Sequence, residues 1–208
     1  DLGCLQAFDA ETGKFLWQHS NEKLPIGRVQ DWELLGICSS AYVEGKRLWY
    51  VTNRDEVCCL DTEGFHDGEN NGPFKGEPNQ NKDEADVIWK VDMIGQLGAS
   101  PHNASSCSVT AVGDVLFLTS SNGVDEGHKR VDKPEAPSFL ALNKNTGAVL
   151  WSDKSPGANV MHGQWSSPAY GVLGGVEQII FAGGDGWLYA FDPRGDAGKS
   201  KLLWKFDS

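Results

Sequence analysis

The 208-residue chain carries 29 acidic against 18 basic side chains, a net charge of −11, and this excess of acid weighs against nucleic acid as a partner, whose phosphates need clustered Lys and Arg. Its 25 Gly, 8 Trp, 9 Phe and 39% hydrophobic residues are the make-up of a glycine-punctuated all-β protein, long enough to bury a sizeable core. No apolar run approaches the roughly 20 residues that span a membrane, and no basic-then-apolar leader precedes Asp1.

Strands are marked in chain order by period-two alternation of apolar residues between Gly, Asn and Asp turns. Leu2 to Asp9 and Lys14 to His19 form one hairpin, and a linker follows from Ser20 to Gly36. Cys38 to Val43, Arg47 to Thr52 and Glu56 to Leu60 come next, with tight turns at Glu44-Gly45 and Asn53-Arg54. Their fourth strand, Asp86 to Val91, waits beyond an acidic insertion. A further set takes Ser106 to Val112, Asp114 to Ser120, Ser138 to Leu142 and Ala148 to Ser152. The last takes Ser166 to Val172, Gln178 to Ala182, Trp187 to Phe191 and Lys201 to Phe206.

Each set ends in the same phrase. Ala141-Leu142-Asn143-Lys144-Asn145-Thr146-Gly147-Ala148-Val149-Leu150-Trp151 repeats Ala7-Phe8-Asp9-Ala10-Glu11-Thr12-Gly13-Lys14-Phe15-Leu16-Trp17 at identical spacing. Looser copies run from Cys59-Leu60-Asp61 to Trp89 and from Ala190-Phe191-Asp192 to Trp204. The physics is that of a hairpin: Asp or Asn bonds amides ahead of it, Gly supplies positive φ, and the second strand carries Trp inward. A four-stranded unit recurring about every 40 to 50 residues cannot bury its faces alone and predicts the stacked blades of a β-propeller.

The phrase A-x-[DN]-x-x-T-G-x-x-x-W resembles the tryptophan-docking motif of the quinoprotein-type, pyrroloquinoline-quinone-like (PQQ-like) repeat propellers. Val57 to Phe65, Met161-His162-Gly163-Gln164-Trp165 and Gly184 to Ala190 look like a bacterial, planctomycete-like branch of it. The resemblance implies that Trp17, Trp89, Trp151 and Trp204 each brace the neighbouring blade. The expected architecture is one partial ring over residues 1–208, three and a half four-stranded antiparallel blades of about eight. These are a half blade at 1–20, a blade at 37–92 with the acidic insertion at 62–85, a blade at 105–153 and a blade at 166–206. The chain then reads as a segment of a longer protein, whose remaining blades or a partner subunit close the ring and cover unpaired edges.

Connections between blades share a rim with those joining second to third strands. On that rim the sequence offers Trp32, Arg54, His102, Asn122, His162, Trp165 and Asp185 as a ligand-binding set, beside Arg28, Asp31, Asn53, Asn103, Asp125, His128 and Gln164. His102 and His162 hold matching places just before their blades' first strands. The plain alternative is that these residues bond neighbouring loops because the fold repeats. In the acidic insertion, Asp61, Glu63, Asp67 and Glu69 place oxygens at alternating spacing suited to Ca²⁺, although Phe65 stands where a ligand is expected and no distal Glu is in register. The rest of the insertion reads as solvated loop.

The five cysteines are odd in number and form no C-x-x-C pair, which argues against a cysteine zinc site. Cys59 fills the slot of Ala7, Ala141 and Ala190 and reads as a small buried residue. The resemblance also raises a disulfide between Cys58 and Cys59. No catalytic residue is assigned. The expected function is a non-catalytic scaffold of the periplasm or cell envelope that presents its inter-blade rim to a protein or small ligand. The alternative is a PQQ- and Ca²⁺-dependent quinoprotein dehydrogenase completed by further blades.

Overall fold

A computed structural model describes residues 2–208. Its fourteen strands form one two-stranded and three four-stranded antiparallel sheets, each a simple meander. The first hairpin is β1 (Leu2–Phe8) with β2 (Phe15–Glu22). The second sheet is β3 (Tyr42–Glu44), β4 (Arg47–Val51), β5 (Glu56–Asp61) and β6 (Val87–Asp92), and a short helix, α1 (Met93–Leu97), follows it. The third is β7 (Thr110–Val112), β8 (Val115–Thr119), β9 (Phe139–Asn143) and β10 (Val149–Asp153). The fourth is β11 (Ala169–Leu173), β12 (Val176–Ala182), β13 (Trp187–Phe191) and β14 (Leu202–Asp207). The fold is an all-β, partial propeller with no closed ring.

The repeated phrase acts as its chemistry requires. Asp9 Oδ1 accepts from the amides of Glu11 (3.2 Å) and Thr12 (2.7 Å), and Asn143 Oδ1 accepts from those of Asn145 (2.9 Å) and Thr146 (3.0 Å). Gly13 and Gly147 then turn the chain at φ 69° and 75°. Each phrase also carries a register shift beside its small residue, at Ala7/Phe8, Cys59/Leu60, Val149/Trp151 and Ala190/Phe191. That bulge twists the outer strand and lets its Trp reach the next sheet. The Trp17 ring lies against Gly64, Trp89 against Gly147 and Trp151 against Gly195, places where an added Cβ would come within 2.9, 2.7 and 2.7 Å of the indole. Trp17 Nε1 donates to the Thr62 carbonyl at 2.8 Å and Trp151 Nε1 to that of Pro193 at 3.0 Å. Trp204 is half-buried and donates within its own sheet, to Gln178 Oε1.

Apolar cores lie between sheets. Trp49, Cys59, Trp89, Leu116, Leu118, Leu140 and Leu142 fill one gap, and Phe117, Phe139, Trp151, Phe181 and Phe191 the next. Cys58 and Cys59 are both free and point to opposite faces of β5, Cys58 into the core with Trp17 and Cys59 into the core with Trp89. Alternation along a strand forces that separation, so the adjacent pair forms no disulfide. Burial pushes the Cys59 thiol up to about 12.

The first strand of each whole sheet is shorter than its sequence pattern predicts, starting at Tyr42, Thr110 and Ala169. The residues ahead of it pair with the next sheet instead: the Ser40 amide donates to Ser108 Oγ (2.8 Å) and the Ser108 amide to Ser167 Oγ (2.9 Å). Small hydroxyls there replace the ladder that converging first strands have no room to form. The acidic insertion also differs from the expected solvated loop. Phe65 is buried, backbone bonds from Gln18 to Asp83 and Phe74 to Ile88 strap the segment to β2 and β6, and a bond from Phe65 to Glu84 closes the segment on itself. Between strap and β2 runs a groove of about 420 Å³ lined by His19, Asn21, Glu56, Phe74 and Lys90. Among the described residues, no helix is long and apolar enough to cross a membrane.

Candidate functional site

Three connections meet on the inter-sheet rim: residues 98–109 between the second and third sheets, 120–138 between β8 and β9, and 154–168 between the third and fourth sheets. They are sewn together. The His102 amide donates to Ser121 O, Gly123 to Ser100 O and Val124 to His162 O. Gly123 permits this closeness, since a Cβ there would sit 2.5 Å from His102 Cβ and 2.6 Å from the His162 carbonyl.

The outcome is a triangle of imidazoles. Ring centroids of His102 and His128 are 4.8 Å apart, His102 and His162 4.6 Å, and His128 and His162 4.8 Å. One ring nitrogen from each lies within 4.8 Å of the others. His102 is buried, while His128 and His162 face solvent. His102 Nδ1 donates to the Val124 carbonyl at 2.7 Å, which leaves Nε2 as the unprotonated nitrogen. That Nε2 is buried and has no hydrogen-bond partner among the described residues. Burial first, then the neighbouring His162 and His128, hold the His102 imidazole below its ordinary value. Trp165 walls one side: its ring is 5.1 Å from that of His162 and its Nε1 donates to the His102 carbonyl at 2.9 Å.

Of the residues singled out from sequence, His102, His162 and Trp165 come together here. Asn122 is buried beside them as a brace, accepting from the Ser100 amide (2.9 Å) and donating to Lys133 O (2.9 Å). Asp185 accepts from the Tyr189 hydroxyl at 2.7 Å and supports the β12–β13 turn. Trp32 belongs to the linker after β2, and Arg54 to the β4–β5 turn packed against that linker. Arg54 donates to the Glu22 and Lys23 carbonyls, and Trp32 donates its amide to Asn103 O and stacks under Arg28. Beside them Asp31 is enclosed by Lys23, Asn53 and the Leu24 amide. His128 lay on the expected rim but was not singled out as a ligand; its signal was its place in the β8–β9 connection, which faces both inter-sheet loops.

A quinone with Ca²⁺ on this rim would need a free indole face and uncommitted carboxylate and amide oxygens. Asn122 and Asp185 have spent theirs on loops, so these residues do not fit that group. On the opposite rim Asp61, Glu63 and Asp67 gather carboxylate oxygens within 4.8 Å, without Glu69. Asp61 Oδ1 accepts from the Glu63 amide and Asp67 Oδ1 from the Glu69 amide, each at 2.8 Å, and Lys46 pairs with Glu63 at 3.3 Å.

No protein-family profile matches the chain, and no curated protein matches it by sequence. Solved structures do. BamB from Moraxella catarrhalis superposes with a TM-score of 0.51 at 17% identity over 98% of this chain and 42% of that one. A quinohemoprotein alcohol dehydrogenase from Pseudomonas putida gives 0.58 at 12% identity over 98% of this chain and 31% of that one. The computationally designed protein Ika8 gives 0.52 at 10% over 98% and 43%. The likeness is one of fold. The chain spans less than half the length of each of these proteins.

Proposed function

We propose that the chain is part of a non-catalytic PQQ-like propeller that serves as a binding or assembly scaffold in the cell envelope, offering its inter-sheet rim to a protein or small ligand. The observation that carries this reading is the interlocking of three connections into one platform, on which His128 and His162 remain open to solvent beside a half-buried Trp165. Preorganised loops on a stacked scaffold bind without first being ordered. The fold likeness to BamB supports the same reading.

Apolar side chains left exposed on the first hairpin (Leu2, Phe8) and the last sheet (Val172, Leu173, Phe206) favour closure by further blades or by a partner subunit. The rival, a PQQ- and Ca²⁺-dependent dehydrogenase, draws on the fold likeness to the Pseudomonas enzyme.

The test combines two readouts. With PQQ, Ca²⁺, an alcohol and an electron-accepting dye, the purified protein is expected to leave the dye oxidised. A photo-crosslinker at exposed Met161 on the rim is expected to capture a discrete envelope partner that the same group at Val43 does not. Dye reduction overturns the scaffold reading.

A further inference from the structure

We infer that His102, His128 and His162 form a binding site for one divalent transition-metal ion of the Zn²⁺ class, held by three imidazole nitrogens with a fourth position open to solvent. Neutral imidazole is the shared preference of Zn²⁺, Cu²⁺, Ni²⁺ and Co²⁺, and three His with one open position is a known mode for Zn²⁺. The inference is independent of whether the rim also carries a protein partner.

Two separate observations point to a ligand. The first is spacing. Tetrahedral Zn²⁺ with Zn–N bonds of about 2.0–2.1 Å sets its nitrogens about 3.3 Å apart, and His128 Nε2 lies 3.1 Å from His162 Nε2. The third nitrogen is within 4.8 Å, a gap that rotation of the two solvent-facing rings can close. The second observation is His102 itself. Only 1% of its surface is exposed, and its Nε2 lone pair is unpartnered among the described residues. Its Nδ1–H is fixed on the Val124 carbonyl, the outer-shell bond that orients a ligating imidazole and selects its tautomer.

A brace of hydrogen-bonded rings explains less. One bond between His128 and His162 satisfies a single pair and leaves the buried His102 nitrogen with nothing to accept. A cation satisfies all three nitrogens at once.

The surrounding charge permits it. Arg130, two residues after His128, pairs with Asp125 and Asp132. The Asp125 carboxylate lies on the same loop, where it accepts from the Lys129 amide at 2.8 Å. The open side faces solvent, so a water or an exogenous carboxylate can take the fourth position.

The experiment uses untagged protein, because a histidine tag would bind the same probes. Calorimetric titration with Zn²⁺ is expected to show one ion per chain. Co²⁺ is expected to give visible d–d absorption of a low-symmetry nitrogen site that Zn²⁺ abolishes. His128→Ala and His162→Ala, both at exposed positions, are expected to keep the far-UV circular dichroism and the apo melting temperature. Each is also expected to weaken Zn²⁺ by at least the roughly 10–100-fold that loss of an outer-shell partner alone causes. Asp61→Asn with Asp67→Asn is expected to leave Zn²⁺ affinity unchanged. Absence of both heat and Co²⁺ absorption overturns the proposal, as does Zn²⁺ binding that survives the two His variants or is lost in the double Asp variant. None of these outcomes bears on the dye assay that tests the scaffold reading.

Discussion

Two clusters on opposite rims have the same formal description, three potential ligands with donor atoms within 4.8 Å, and opposite physical character. The histidines come from three connections that meet only because sheets stack, and the deepest of them keeps a buried nitrogen unspent. The acids come from one connection, between β5 and β6, and one oxygen of each is already taken by a local amide or by Lys46. Proximity alone therefore does not make a site. What separates the two is whether the fold has held back a donor at the expense of an internal partner, and of these six residues His102 alone meets that condition.

The contrast is sharpest where the acidic turn acts as scaffold. Trp17 from the preceding hairpin is 2% exposed, lies on Gly64 and donates to Thr62 in that turn. Trp17→Ala is expected to lose about 3–5 kcal/mol of stability in denaturant unfolding, as large aromatic deletions do. Trp165→Ala, at the half-buried histidine rim, is expected to lose about 1–2 kcal/mol. Equal losses would erase the distinction between support and platform.

Next in size is His162→Ala, expected to weaken Zn²⁺ by at least about 10- to 100-fold, or about 1.4–2.8 kcal/mol. Ca²⁺ titration of the same variant and of the parent should be indistinguishable. A Ca²⁺-induced gain in melting temperature that disappears in Asp61→Asn would show that the acidic turn also holds an ion.

A fourth histidine separates stability from binding. His19 Nδ1 and the Tyr50 hydroxyl share a hydrogen bond at 2.6 Å, Tyr50 accepts from Asn21, and Lys90, paired with Glu56, faces the same groove. Burial first, then Lys90, holds the His19 imidazole down to about 4. Because its folded value lies below the unfolded 6.5, the unfolded chain takes up the proton first. The contribution is complete above pH 6.5 and shrinks as pH falls toward 4. Between pH 6.5 and 5 the loss is about 1.5 kcal/mol. His19→Gln is expected to remove that part of the acid sensitivity, and an unchanged slope would refute the assignment.

The smallest effect belongs to the Lys46–Glu63 pair, whose side chains are 78% and 50% exposed. Lys46→Ala is expected to leave the melting temperature unchanged within error, since such pairs are screened by solvent.

Local chemistry made the repeat readable: an Asx turn, a left-handed Gly and a Trp at fixed spacing act within one hairpin, so Asn143, Gly147 and Trp151 revealed their roles without coordinates. The meander of four-stranded sheets followed from the same short-range rules. The first strands were overestimated because Ser40, Ser108 and Ser167 look like strand residues yet bond across to the neighbouring sheet, a choice made by crowding between units. The site divides along the same line. Placing His102 and His162 on one rim needed only the order of connections. Setting His128 opposite them, burying His102 with a free nitrogen and using up Asn122 and Asp185 in the loops were decided by tertiary packing. Which lone pairs remain unspent depends on long-range contacts, which residue spacing along a chain does not encode.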